Sequence, residues 1–379
     1  MRKRWYLSKP VLLSALGKDA DEVYANVLSG RQDSFIKNRK GFNVARYSTE
    51  CADVLEGLVK DSIEALREPA ASVLAKVPAD RVGLVIGNCD YFSQNAVDYH
   101  RKYIGTGSFS GYDISFQSPH KIAEIISGSL GIKGPSFSVA TACASSATSL
   151  ARACDLIDAG VSDVVLAGGI DTSTDIIVDG FSSLSAVSPE PANPFSRNRK
   201  GITLGDGAAY FFLSRERLFP FPVVLTGFGE TSDGYNMTSP DPEARQVMGC
   251  MRKALSMAGL DAKEIDYINL HGTGTRANDS MEGLAVSSLF PKGTSVSSTK
   301  ALTGHTLAAA GALELGISAL AIASGKGLPP HLYDGETEEE AASLRFVPVG
   351  DSSKARSVLS ASFAFGGANA AMILERYDA

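Results

Sequence analysis

Ser136-Phe137-Ser138-Val139-Ala140-Thr141-Ala142-Cys143-Ala144-Ser145-Ser146 changes its period halfway along. Up to Val139, small polar and apolar residues alternate, which is the two-residue repeat of a strand. From Ser145 to Asp158 the pattern turns helical and rich in Ala and Ser. A strand that turns directly into a small-residue helix is a building unit of layered α/β folds, and here the turn carries Cys143. A second such unit follows. Residues 295–298 lead through Thr299-Lys300 and Gly304-His305 into another Ala-rich helix. Further strand-like runs lie at 82–86, 164–167 and 267–270, with helical periodicity between them, as at 243–258. This alternation predicts an α/β layered fold of mostly parallel strands, built from two related halves. Phe219-Pro220-Phe221-Pro222 breaks the pattern and places the seam there, giving halves 1–219 and 220–379.

Composition narrows the classes. The 379 residues are 44% hydrophobic and 21% charged with net charge −6, an ordinary globular balance with no basic cluster for nucleic acid. Cys51, Cys89, Cys143, Cys154 and Cys250 are scattered without a CxxC pair, which argues against a zinc site or a disulfide framework. Free thiols point to a reducing, cytoplasmic setting. The basic Met1-Arg2-Lys3-Arg4 precedes a short apolar stretch that Ser8-Lys9-Pro10 interrupts, so it reads as an opening strand rather than a signal peptide. Residues 306–325 are apolar enough to span a bilayer, but Glu314 and three glycines favour a buried helix over a membrane span.

Four segments can carry chemistry. Cys143 sits at a helix start, where free N–H groups and the helix dipole favour an anion, so its thiol is expected to ionise readily and act as a nucleophile. A lone cysteine is otherwise a small buried hydrophobe, the role expected of Cys154. His271 ends a strand in Asn269-Leu270-His271-Gly272-Thr273-Gly274-Thr275, before a loop suited to an extended ligand. Lys300 and His305 flank a glycine turn, with Glu314 further along as the partner a buried charge needs. Each of these also fits a plain structural role, a core histidine or a structural ion pair. Phe363-Ala364-Phe365-Gly366-Gly367 fits a ligand-contacting turn or a simple hairpin.

Taken together, and in this order, these segments resemble the chain-elongating β-ketoacyl-(acyl carrier protein) synthases of fatty acid and polyketide synthesis. Further marks are Ala167-Gly168-Gly169, Asn193-Pro194-Phe195 through Gly205-Asp206-Gly207, Ser232 through Thr238, and Asp279 with Glu282. The resemblance implies the thiolase fold, a duplicated αβαβα layering. It implies an acyltransferase in which Cys143 takes an acyl group and His271 and His305 stabilise the enolate left by malonyl decarboxylation. Lys300, with Glu314, would support the histidines. The amides of Cys143 and Phe365 would form the oxyanion hole. Thr273 and Thr275 would contact pantetheine, and Phe181, Phe365 and Asp90 would line the acyl pocket and its gate. A charged Asp90 facing a saturated chain would be costly, so either it turns away, capping a helix or pairing with an arginine, or the pocket holds an unsaturated, aryl or otherwise polar chain, the reading favoured here. No metal or resident cofactor is implied, since phosphopantetheine arrives on an acyl carrier protein. A homodimer is expected, or a heterodimer with a ketosynthase-like chain-length partner. The alternative is that this chain is itself the non-catalytic partner, a role in which the cysteine is usually replaced. Lys200, Asn236 and Ala364 depart from the family pattern.

Overall fold

The computed structural model describes residues 3–32 and 34–378. Ten strands carry its architecture. In chain order they are β1 (Trp5–Leu7), β2 (Val82–Gly87), β3 (Ser136–Val139), β4 (Val164–Asp171) and β5 (Gly207–Ser214), then β6 (Val223–Ser232), β7 (Tyr267–Asn269), β8 (Ser295–Ser297), β9 (Ser357–Phe363) and β10 (Ala368–Arg376). They hydrogen-bond in the order β8-β7-β9-β10-β6-β1-β5-β4-β2-β3. Arg345–Phe346 and Val11–Ser14 add short strands to β8 and β5.

The order repeats itself. β3-β2-β4-β5-β1 is matched by β8-β7-β9-β10-β6. β2 is parallel to β3 and β4, as β7 is to β8 and β9. β5 runs antiparallel to β4 and β1, as β10 does to β9 and β6. The expectation of mostly parallel strands therefore holds only for the outer three strands of each half. Parallel neighbours need a crossover, usually a helix, whereas β9 returns as β10 through the short turn after Phe363.

Strand alternation sorts side chains into three cores. Val82, Leu84 and Ile86 of β2 face outward, onto helices Val54–Leu74 and Lys121–Leu130. Ile268, Leu359 and Ile373 face helices Arg245–Ala258 and Arg276–Leu289 on the other flank. Val85, Val165, Val358 and Met372 point into a central core shared with helices Ser145–Asp158 and Ala310–Ser324. Both sheet halves thus bury both faces, which is why their sequences read as apolar runs. The arrangement is the αβαβα layering. The apolar stretch Leu307–Ser324 is 89% buried between the sheets, and Glu314 within it is buried and paired with Lys300.

Candidate active site

The parallel strands deliver the reactive side chains from their carboxyl ends to one cavity of about 640 Å³. Cys143, His271 and His305 meet there, joined by Thr273, Thr275 and Phe365. The Cys143 sulfur and a ring nitrogen of each histidine lie within 4.8 Å of one another. The two imidazoles meet edge to face, with centroids 5.3 Å apart.

The turn that presents Cys143 is strained. Ala142 holds φ +48°, a left-handed conformation that costs a non-glycine residue about 1–2 kcal/mol. Ser145 braces it, since its hydroxyl accepts from the Thr141 amide at 2.8 Å and donates to the Ala142 carbonyl at 2.6 Å. Gly87 lets β2 approach, because a Cβ there would lie 2.5 Å from backbone atoms of Ser145 and Ser146. Ser146 Oγ accepts from the Ala312 amide at 2.9 Å and so ties the nucleophile's helix to the central helix of the second half.

The expectation of an easily ionised thiol is overturned for the resting site. Burial pushes the Cys143 thiol up to about 12, with the neighbouring Cys89 and Asp171 adding to the effect and Lys300 opposing it. The helix begins at Ser145, two residues beyond Cys143.

The histidine side is built by carboxylates behind it. Glu282 accepts the amides of His271 and Gly272, each at 2.7 Å. Asp279 accepts those of Thr273 (3.1 Å) and Phe195 (2.8 Å), which shapes the loop bearing Thr273 and Thr275. Lys300 is wholly buried, bonded to Glu314, and does not line the cavity. Burial holds both histidines well below their usual range, and the Lys300 charge pushes them further the same way. Both imidazoles are therefore neutral at physiological pH. The Leu307 amide donates to His305 Nδ1 at 3.1 Å, so the proton of the neutral ring sits on Nε2.

By type, one thiol and two imidazoles suit a soft metal ion. Ligation by His305 would need a bare Nε2 and a proton on Nδ1, which would set that proton against the Leu307 N–H. The donor set fits a hydrogen-bonding role better than a metal.

Phe365 and Phe181 pack with centroids 5.6 Å apart at the cavity wall, and the Phe365 amide has no acceptor among the described residues. Asp90 does not line the cavity. Its carboxylate accepts from the Ser93 amide at 2.9 Å and from the Thr172 hydroxyl at 2.7 Å, capping the chain into helix Ser93–Thr106. An unpaired carboxylate against an acyl chain would be costly, and these bonds remove that cost. The case for a polar chain loses this support. Two structural groups escaped the sequence reading. His331 accepts from the Ser298 amide and bonds the Pro194 carbonyl, which accounts for the Asn193-Pro194-Phe195 mark. Asp171, at the end of β4, joins the two halves.

Family models for the "Beta-ketoacyl synthase, N-terminal domain" and "Beta-ketoacyl synthase, C-terminal domain" match residues 13–218 and 223–333. The chain is 32% identical over 407 aligned positions to 3-oxoacyl-[acyl-carrier-protein] synthase 2 of Coxiella burnetii, covering 96% of each. Its fold superposes on a chain from the structure of a ketosynthase in complex with its chain length factor from Xenorhabdus doucetiae, with a TM-score of 0.88 at 31% identity over 99% of this chain and 98% of that one. A β-ketoacyl synthase from Burkholderia phymatum matches with a TM-score of 0.87 at 27% identity, over 99% of this chain and all of the other.

Proposed function

The chain belongs to the β-ketoacyl synthase family of condensing acyltransferases, and from that premise we propose that Cys143, His271 and His305 carry its two half-reactions. In the first, the Cys143 sulfur attacks an acyl thioester on a carrier protein. The acyl–sulfur bond passes to Cys143 and the thiol proton leaves with the carrier's thiol. In the second, a malonyl thioester takes the carrier's place. Its carboxylate leaves as carbon dioxide, and the electron pair of the broken bond moves onto the thioester oxygen as an enolate. His271 and His305 donate to that oxygen. The enolate carbon attacks the acyl–Cys143 carbonyl, whose oxygen is received by the Cys143 and Phe365 amides. Collapse releases the β-ketoacyl thioester and expels the Cys143 sulfur as a thiolate, which takes a proton from solvent to restore the thiol.

The observation that carries this reading is a pair of neutral imidazoles beside a thiol, one of them held as the Nε2–H donor. A neutral donor stabilises the enolate without protonating it. Burial, with the Lys300 charge adding to it, keeps the rings neutral, and Glu314 compensates the buried lysine. Thr273 and Thr275 line the route of the pantetheine arm, and the reaction needs no metal or resident cofactor.

The carrier protein and a second chain of the same fold are the partners proposed. Helix Ser93–Thr106 buries none of its residues, and Tyr103, Ile104, Phe109 and Ile114 around it stay exposed. Apolar surface of that kind marks an interface, and β3 leaves one end of the ladder open. The second chain is a homodimer mate or a chain-length partner. Five free thiols suit a cytoplasmic setting.

Incubation with a panel of acyl-carrier proteins, followed by peptide mass spectrometry, tests the nucleophile. The acyl group is expected on Cys143 and on none of the other four cysteines. Acyl transfer that survives Cys143→Ala overturns the assignment.

A further inference from the structure

His305 is oriented by the backbone that follows it. Leu307, whose amide donates to His305 Nδ1, has φ +52°. Leucine stays in that left-handed region only where its surroundings hold it there. The next amide, that of Ala308, donates to Asp171 Oδ2 at 3.0 Å. Asp171 is fully buried at the end of β4, in the half that carries Cys143. Its other oxygen accepts the amides of Asp90 (2.9 Å) and Thr172 (3.2 Å). Gly169, two residues earlier, lets the same turn close in, since a Cβ there would lie 2.9 Å from the Ala308 carbonyl oxygen. One carboxylate thus clamps the strained turn of one half to a strand of the other.

We propose that Asp171 is a positioning residue for decarboxylation: by holding the Ala308 amide it fixes the Leu307 turn, and through that turn it keeps His305 as an Nε2–H donor aimed at the malonyl thioester. Asp171 lies behind the cavity wall and touches no substrate. The inference rests on His305 acting as an enolate donor. Asp171 also bears on the other half-reaction, with the opposite sign. Its charge is among those that keep the Cys143 proton in place. Removing that charge eases loss of the thiol proton, while removing the clamp loosens His305.

Asp171→Asn separates the two effects. Its carbonyl oxygen still serves Asp90 and Thr172, but its NH2 then faces the Ala308 N–H, donor against donor. Malonyl-carrier decarboxylation is expected to fall roughly 10- to 100-fold, the scale of a misplaced catalytic group. Alkylation of Cys143 by iodoacetamide is expected to hold steady or quicken. In protein labelled with 15N-histidine, the His305 signal should change from a single Nε2–H tautomer to a mixture. Asp171→Ser, which is too short to reach Ala308 and less demanding to bury, carries the same test if the asparagine variant does not fold. Decarboxylation within about two-fold of the native rate overturns the proposal, and so does a parallel fall in decarboxylation and alkylation, the mark of a merely structural residue. His305→Ala in the same assay keeps the premise separate. If that variant decarboxylates at the native rate, the donor role has failed and not the clamp.

Discussion

Cys143 and the two histidines divide the chemistry between them, and single substitutions should separate their shares. Cys143→Gln removes the acyl acceptor and leaves the donors, so it should release carbon dioxide from malonyl-carrier protein without condensing. His271→Ala or His305→Ala should lose about 10²- to 10³-fold of that decarboxylation, the usual loss for one preorganised donor, yet still self-acylate. Native-rate carbon dioxide release by either variant removes that histidine from the mechanism. Both rings are held below the ordinary histidine range and so stay neutral as the pH falls past it. Decarboxylation by Cys143→Gln should accordingly show no step as the pH falls from about 6.5 to about 5.5, below the range in which the buried carboxyls Asp171, Glu314 and Glu282 change charge. A step in that interval would show that one ring titrates there. At this scale the sequence was readable where a reactive residue type stood in a turn that follows a strand, as with Cys143, His271 and His305. At Asp90 it left a capping carboxylate and a pocket residue both open, and the favoured one failed; at Asp171 it was silent. The meaning of a lone carboxylate depends on which distant amides reach it, and those of Thr172 and Ala308 arrive only in the fold.

The packing of strand β2 against the helix Ser145–Asp158 sets where the nucleophile stands. Gly87 is the contact that leaves no room for a side chain, as backbone of Ser145 and Ser146 would lie 2.5 Å from its Cβ. Gly87→Ala should push the helix start away, loosen the Ser145 brace and move Cys143. The expected result is a lower melting temperature together with a loss of acylation on the order of 10²-fold. Native acylation kinetics in Gly87→Ala would show that this contact does not set the position of Cys143. The parallel strands β2, β3, β4, β7 and β8 and the helix Arg245–Ala258 were legible from their periods, whereas β9 and the other flanking helices were not read. The antiparallel strands β5, β6 and β10 were not read. They look equally apolar, and direction is set by the length of a connection rather than by the strand's own residues.

For the molecule as a whole, buried charges set a pH range of stability. Burial pushes Asp171 and Glu314 up to about 7 and Glu282 up to about 8. The folded chain keeps protons that an unfolded carboxyl releases near pH 4, so this stabilisation is complete below about pH 4 and is lost as pH rises through 7 to 8. The histidines act oppositely. Lowered in the fold, with His331 at about 4, they contribute fully above about pH 6.5 and lose that contribution as the pH falls. The melting temperature should therefore decline from about pH 6.5 to about pH 8.5, where only the carboxyls act, and a rise across that interval would contradict the scheme. The exposed Tyr103, Ile104, Phe109 and Ile114 on and beside helix Ser93–Thr106, with the open β3 edge, should bring two chains together, so light scattering is expected to give a dimer. A fully active monomer would refute it. β1, meanwhile, is the hinge pin of the ladder, with Trp5 beside Leu225 and Leu7 beside Leu213. Its partners leave the ribosome more than two hundred residues after it does. Until they emerge, an apolar strand waits without neighbours. Closing so long a loop makes the union of the halves a late and slow event, during which the bare flanks of β5 and β6 are open to wrong pairings that a chaperone would have to prevent.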